Sequence, residues 1–393
     1  MKKSYLFFAI ISTLINYSQI TIDNTSYNPY ALATQQLIGA GITVSNVTFN
    51  GVQQNSPVHV INPVRDQASL FQNGLSVNVG FDEGLILTTG QTKVAQISAT
   101  NPQVSGKSIA STTPQAGEVD LQQLVTFAVK NAAVLEFDFV PTSTSVQFEY
   151  VFASEEYPEF SCSNFNDVFG FFISGPGIMG PFSNNSKNIA LVPNTTLPVS
   201  IANINPGEGT ASCSGTNVAY YVSNSGSNLI QYDGMTTPLI AFADNLICGQ
   251  TYHLKLAIAN VSDNEYDSGV LLKANSLQSL VVNLGPDQYL CNPNFTTYTL
   301  TANLNLPPSS VGPLTYNWYY EGVFQATTTT NQYTIPITQE GNWTVELVGF
   351  CTQDTILITF DSPPTLNPPP SPINIACGPF DLTSLIPAMV SPD

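Results

Sequence analysis

Charge is scarce in this 393-residue chain, and positive charge is scarcest. Charged residues make up 9%, with 9 Lys and Arg against 27 Asp and Glu, for a formal net charge of −18. Arg65 is the single arginine. Phosphate backbones and anionic lipids are recognised through basic patches, so this composition argues against nucleic acid and acidic membrane surfaces as partners. Long apolar runs are missing too: beyond the first 18 residues, nothing approaches the ~20 uninterrupted apolar residues of a membrane-spanning helix. No transmembrane segment is therefore expected in the mature chain. Histidine is limited to His59 and His253, and no Cys-x-x-Cys pair occurs, which leaves no foundation for a zinc site. Also absent are a Gly-x-Ser-x-Gly elbow, a His-Glu-x-x-His helix and a phosphate loop.

What is present points outward from the cell. Lys2 and Lys3 precede a short apolar core, Tyr5–Ile15, and Asn16-Tyr17-Ser18 offers a cleavage site before Gln19. That is the layout of a secretory signal spanning 1–18, with a core too short to cross a bilayer. Its removal takes Lys2 and Lys3 and moves the net charge from −18 to −20. The remaining chain is too long for one core of ordinary size, so two or more domains are expected. Tyr30–Ile38 is the one credible helix, capped by Asn28 with Pro29 in its first turn and stopped at Gly39 or Gly41. From Ile42 onward short β runs take over, including Ile42–Phe49, Gly84–Thr89, Asn188–Val192, Tyr252–Ile258 and Val270–Ala274. They are punctuated by 28 Pro and 26 Gly. The expected fold class is all-β: an antiparallel β-sandwich over 19–280 with one short N-terminal helix, then a second sandwich over 281–361.

The most informative stretch is Val134–Gly177. Leu135, Phe137 and Phe139 alternate with Glu136 and Asp138; Val146, Phe148, Tyr150 and Phe152 alternate with Gln147 and Glu149. This period of two predicts a half-buried antiparallel hairpin joined through Pro141-Thr142-Ser143. A polar loop, Ala153–Asp167, leads to a third apolar run, Val168–Ile173. Between Asn131 and Ser186 there are seven acids (Glu136, Asp138, Glu149, Glu155, Glu156, Glu159, Asp167) and no Lys or Arg. Crowded carboxylates need a compensating cation, and Ca²⁺ takes about 6–8 oxygens from carboxylates, amides and carbonyls. Glu155, Glu156, Asn166 and Asp167 are the candidate ligands, although no EF-hand spacing is present. Ala259–Ser268 carries a second acidic turn, whose Asp263 and Asp267 could complete a shared site; the alternative is a solvated polar turn.

VFASEEYPEFSCSNFNDVFGFFISGPG resembles the signature of the choice-of-anchor L domain, a family of secreted bacterial proteins. The resemblance continues through NIALVPNTTLPVSIANIN, IQYDGMTTPL and CGQTYHLKLAIANVSDNEYDSGVLLKANS, with LIGAGITVSNVTFNG and FDEGLILTTG upstream. It spans roughly Tyr27–Leu280 and implies an exported location and a modular architecture. It supplies no reaction.

Asn283–Pro286 opens a second module. Cys291, Trp318 and Cys351 follow the Cys…Trp…Cys order of an immunoglobulin-like sandwich, and GNWTV resembles the Gly-x-Tyr-x-Val strand of PKD-like modules. Cys291–Cys351 is thus the expected disulfide of this PKD/Ig-like unit. In the first domain Cys162–Cys213 would tie the acidic loop to the Ser212–Thr216 loop, but Cys248 could replace either partner. SPPTLNPPPS (362–371) reads as a proline-rich spacer, and 372–393, with Cys377, as the start of a further module whose anchor would lie beyond Asp393.

Three functional classes compete. A hydrolase would need placed carboxylates, and Glu155/Glu156 or Glu149/Asp167 are the available pairs. A purely structural spacer is the second. A non-catalytic adhesion or ligand-binding role toward an extracellular glycan or surface protein fits best, given loop aromatics such as Tyr157, Phe160, Phe165, Tyr220, Tyr221 and Tyr232.

Overall fold

The computed structural model describes residues 19–55, 66–98, 101, 104, 117–209, 213–226, 229–291, 296–306 and 313–361. The expected leader, the proline-rich spacer and the segment 372–393 lie outside these residues. The chain divides into two compact units between Leu280 and Val281.

The first unit begins with β1 (Thr21–Asp23), β2 (Ile42–Phe49), β3 (Val52–Gln53), β4 (Ala68–Gln72) and β5 (Gly84–Thr88). The long strands β6 (Val129–Pro141), β7 (Val146–Ser154) and β8 (Val168–Ser174) follow. After them come β9 (Lys187–Asn188), β10 (Tyr221–Ser223), β11 (Gly234–Thr236) and β12 (Leu239–Ala243). The unit closes with β13 (Tyr252–Val261), β14 (Ser268–Lys273) and β15 (Gln278–Ser279). One sheet runs β1-β4-β5-β14-β7-β11-β10, with β12 and β15 also on β7; the other runs β3-β2-β6-β13-β8-β9.

Here the expectation of a hairpin fails. β6 pairs with β2 and β13, whereas β7 pairs with β14, β11, β12 and β15, so Pro141–Ser145 carries the chain from one sheet to the other. The alternation in each strand identifies its apolar face correctly. Leu135, Phe137 and Phe139 meet Phe148, Tyr150 and Phe152 in one buried core between the sheets. Period-two patterning reports which face is buried and says nothing of which strand lies alongside. From Tyr150 on, β7 is buried on both faces, because Val151 and Ala153 pack into a second core with Phe71, Phe81, Tyr232 and Leu271. β8 is buried throughout for the same reason: Phe169, Phe171 and Ile173 face the main core, while Val168 and Phe172 pack with Leu121.

The N-terminal helical segment forms as one α turn, Pro29–Ala31, continuing as a π-helical turn over Leu32–Leu37. Asn28 caps it, its Oδ1 accepting the Ala31 N–H at 2.8 Å, and Pro29 occupies the first turn, where no N–H partner is needed.

The second unit contains β16 (Val282–Asn283), β17 (Gln288–Cys291), β18 (Thr297–Thr301), β19 (Asn303–Leu304) and β20 (Tyr316–Tyr320). It ends with β21 (Val323–Thr328), β22 (Gln332–Pro336), β23 (Gly341–Leu347) and β24 (Thr352–Asp361). The main sheet is β17-β24-β23-β20-β21, and β18-β22 and β16-β19 form two-stranded sheets. Trp318 and Trp343 are fully buried, with the Tyr333 ring 5.5 and 5.7 Å from them. Each indole N–H is satisfied, by Thr328 Oγ1 at 3.0 Å and by the Gln339 carbonyl at 3.2 Å.

The expected Cys291–Cys351 bridge does not fit this sheet. β17 lies parallel to β24 with Cys291 opposite Asp361, at the far end of the strand that starts one residue after Cys351. Ten residues of extended chain span about 30 Å at ~3.3 Å each, whereas bridged cysteines have Cα atoms within about 7 Å. The Cys…Trp…Cys order is present without the geometry it suggested. Cys351 is disulfide-bonded, as is Cys248 in the first unit.

Candidate functional site

Two segments cross between the sheets of the first unit at the same end. Residues 155–167 carry the chain from β7 to β8, and residues 262–267 carry it from β13 back to β14. They are neighbours because Ala259 is registered opposite Val168 in one sheet and Ser268 opposite Ser154 in the other. The acidic loop and the acidic turn, about a hundred residues apart in the chain, therefore meet.

Asp167 binds them together. It is fully buried; its Oδ1 accepts the Val261 N–H at 2.9 Å, and its Oδ2 accepts the Ser268 hydroxyl at 2.6 Å. Ser268 Oγ also lies 2.7 Å from Ser154 Oγ, which accepts the Glu156 N–H at 2.9 Å. Burial pushes the Asp167 carboxyl well above the usual carboxylate range. The Ser268 and Val261 hydrogen bonds oppose that shift, and the charges of Asp263 and Asp267 reinforce it.

The six expected ligands do not converge on one point. Glu155 and Glu156 part company. Glu155 and Asp267 act together on the hydroxyl of buried Tyr232, and the Asp267 carboxylate lies against Gly90, where a methyl group would overlap it. Glu155 N–H donates to the Asp267 carbonyl at 3.1 Å. Asn166 turns elsewhere: its Oδ1 accepts the Ala202 N–H at 2.7 Å and pins the neighbouring loop. Glu156 faces Asp167, Asp263 and Glu159. Burial first, and then the repulsion of these three, pushes its carboxyl up to about 10. Its exposure is 1%, and neither carboxylate oxygen has a hydrogen-bond partner. Asn260 Oδ1, also fully buried, is unpartnered, while its Nδ2 reaches the Glu265 carbonyl in the same turn at 3.5 Å. Among the described residues no three His, Cys, Asp or Glu side chains are grouped as a ready-made metal site.

The loop is held from several sides. Cys162 and Cys213 form a disulfide, and Tyr157 donates its hydroxyl to the Ile204 carbonyl at 2.6 Å. Tyr157 and Tyr232 are core residues, so two of the expected loop aromatics are out of reach of any ligand. Phe160 and Phe165 remain half-buried in the loop. Phe160 packs edge-on against Phe165 at 5.3 Å and against Tyr266 of the turn at 4.8 Å. Tyr266 thus adds an aromatic that sequence reading missed; it lies inside the acidic turn that drew attention for its carboxylates.

Three of the seven acids are compensated by bases distant in the chain. His253 sits between Asp138 (Nδ1, 2.8 Å) and Glu136 (Nε2, 3.0 Å), and Lys273 Nζ is 2.6 Å from Glu149. The Glu136 hydrogen bond is the largest influence on His253, and with Asp138 it raises the imidazole above its ordinary value despite burial. Beside it, Lys255 is paired with Glu118 and Asp120. The charge imbalance read along the chain is thus real only for the loop itself. The carboxylate pairs weighed for hydrolysis are likewise dispersed: Glu149 is occupied by Lys273, and Glu155 and Glu156 address different surroundings.

A model of the choice-of-anchor L domain matches residues 21–278. The chain belongs to that family. No curated protein sequence matches it. Among solved structures, an I-band fragment of titin, I67–I69, is 9% identical with a TM-score of 0.17, the match covering 62% of this chain and 64% of that one. The adhesin domain of Epf from Streptococcus pyogenes is 11% identical with a TM-score of 0.18, covering 70% of this chain and 91% of that one. A β-1,2-glucanase from Parabacteroides distasonis is 9% identical with a TM-score of 0.14, covering 61% and 33%. The chain therefore spans less than two thirds of the titin fragment and a third of the glucanase.

Proposed function

We propose that this chain is an exported, cell-surface-attached modular protein with a non-catalytic adhesion or ligand-binding role. The observation that carries the exported location is the Cys162–Cys213 disulfide inside a choice-of-anchor L domain, since such bridges persist in oxidising compartments. Among the described residues no helix is long and apolar enough to cross a membrane, so attachment would come from another segment or a partner. A binding role is supported by the loop end of the first unit. There the half-exposed rings of Phe160, Phe165 and Tyr266 stand beside a loop fixed by the disulfide and by Asp167. Aromatic faces on a rigid loop suit stacking against sugar rings of an extracellular glycan. A non-catalytic role is favoured because Glu156 and Asp167 are closed off from solvent, where no polysaccharide could reach them.

The test is a glycan array probed with the full chain and with a Phe160→Ala/Tyr266→Ala variant, run beside a polysaccharide-hydrolysis screen. Saturable glycan binding lost in the variant is the expected result. No binding to any array member would favour a structural spacer, and turnover of a polysaccharide would overturn the non-catalytic reading.

A further inference from the structure

We propose that Glu156, Asp263 and Asn260 supply side-chain oxygens to a calcium site between the 155–167 loop and the 262–267 turn, with Asp167 as the positioning residue behind them. The inference starts from Glu156. A carboxylate at 1% exposure with both oxygens unpartnered is rare in folded proteins, because water and hydrogen bonds have both been taken from it. Its surroundings make matters worse, since Asp167, Asp263 and Glu159 all add negative charge. Among the described residues, no Lys, Arg or His bonds to Glu156 or Asp167. Lys130, which approaches the turn, donates its ammonium to the Ser262 carbonyl at 2.9 Å.

A second buried oxygen, Asn260 Oδ1, lies unpartnered in the strand that leads into the same turn. Asp263 is partly exposed, with Oδ1 accepting the Glu265 N–H at 3.0 Å, which fixes its side chain in the turn. The donors are all hard oxygens. Without three convergent acids, the cluster does not suit a metal that demands a compact ligand set. Calcium tolerates few carboxylates and irregular geometry, completing its coordination with amide, carbonyl and water oxygens. The ligand set differs from the one the sequence suggests: Asp267 lies against Gly90, Glu155 acts with it on the Tyr232 hydroxyl, and Asn166 is spent on Ala202. Asp167 already accepts two hydrogen bonds, so its role is to hold Val261 and Ser268, and with them the turn, against the loop.

The test is calorimetric titration of the metal-stripped full chain with CaCl₂, with MgCl₂ as comparison, alongside melting in EDTA and in millimolar CaCl₂. One saturable calcium site of about 10⁻⁴–10⁻³ M, the range of extracellular modules, is expected. Melting should shift upward only at calcium concentrations that fill it. Glu156→Gln and the more exposed Asp263→Asn should each weaken binding about tenfold or more, whereas Asn166→Ala should leave it unchanged. No saturable binding would overturn the site, as would binding that both variants retain. Neither result depends on a glycan: a chain that binds calcium and no sugar upholds this site and counts only against the adhesive reading.

Discussion

Replacing both Cys162 and Cys213 by serine removes the covalent tie on the acidic loop without leaving a free thiol. The bridge closes a loop with a sequence separation of 51 residues. In the chain-entropy description, a cross-link of that span restricts the unfolded ensemble by about 4 kcal/mol at 25 °C. Non-covalent ties hold the same loop, with Tyr157 reaching Ile204 and Asn166 holding Ala202. These contacts exist only in the folded state, so they do not lessen the entropy that the cross-link removes from the unfolded one. The expected loss is therefore about 2–4 kcal/mol, allowing for residual order in the unfolded chain. Urea unfolding can be followed by near-UV dichroism. Both tryptophans, Trp318 and Trp343, belong to the second unit, so tryptophan fluorescence follows that unit separately. Reduction by thiols is the poorer perturbation, because Cys248 and Cys351 are oxidised as well. A loss below about 1 kcal/mol would refute the reasoning, for the cross-link would then restrict the unfolded chain far less than its span implies.

Further outcomes follow from single side chains. The His253 imidazole, raised by Glu136 and Asp138, stabilises the fold fully below its ordinary pKa and loses that contribution as pH rises through the higher folded value. The stability gap between wild type and His253→Asn should thus be wider at pH 5.5 than at pH 9, and NMR titration should place the wild-type midpoint above about 6.5. Trp343→Ala, which removes a fully buried indole packed at a tilt against Tyr320 and Tyr333, should destabilise the second unit by about 3–5 kcal/mol, read as a lower urea midpoint. Gly90→Ala should lower the melting temperature of the first unit, since the added methyl group would displace the Asp267 carboxylate.

The legibility of this chain ended where long-range pairing began. Ile42–Phe49 reads as a strand and is one, and the Asn28-Pro29 pair announces the helix start that it caps. Apolar alternation in Leu135–Phe139 and Val146–Phe152 identified the core correctly. The same alternation could not tell that the two strands face each other across that core, since pattern records burial and not neighbours. Charge counting failed for a related reason. His253 and Lys273 lie over a hundred residues from the acids they meet, so a local window finds Glu136, Asp138 and Glu149 uncompensated. At the candidate site, composition brought the right two segments together. It could not divide Glu155 from Glu156, whose different surroundings arise at the end of β7, where extended backbone gives way to the loop. The cysteine order of the second unit misled because order along the chain carries no register, and the parallel placement of β17 sets Cys291 at the wrong end of β24.

That β6 and β7 part into different sheets also bears on the order in which the molecule can assemble. β6 finds β2 already made on one side but waits for Tyr252–Val261 on the other, and β7 waits for Gly234–Thr236, Leu239–Ala243 and Ser268–Lys273. Within the first two hundred residues β4 can pair with β1 and β5, β2 with β3 and β6, and β8 with β9, but the two long strands of the core still lack the partners that complete their sheets. Pairings of such long range close slowly, because the chain between them must be ordered before any contact rewards it. On the exported location proposed above, both sheets would be completed only after the strands at 252–273 have emerged on the far side of the membrane.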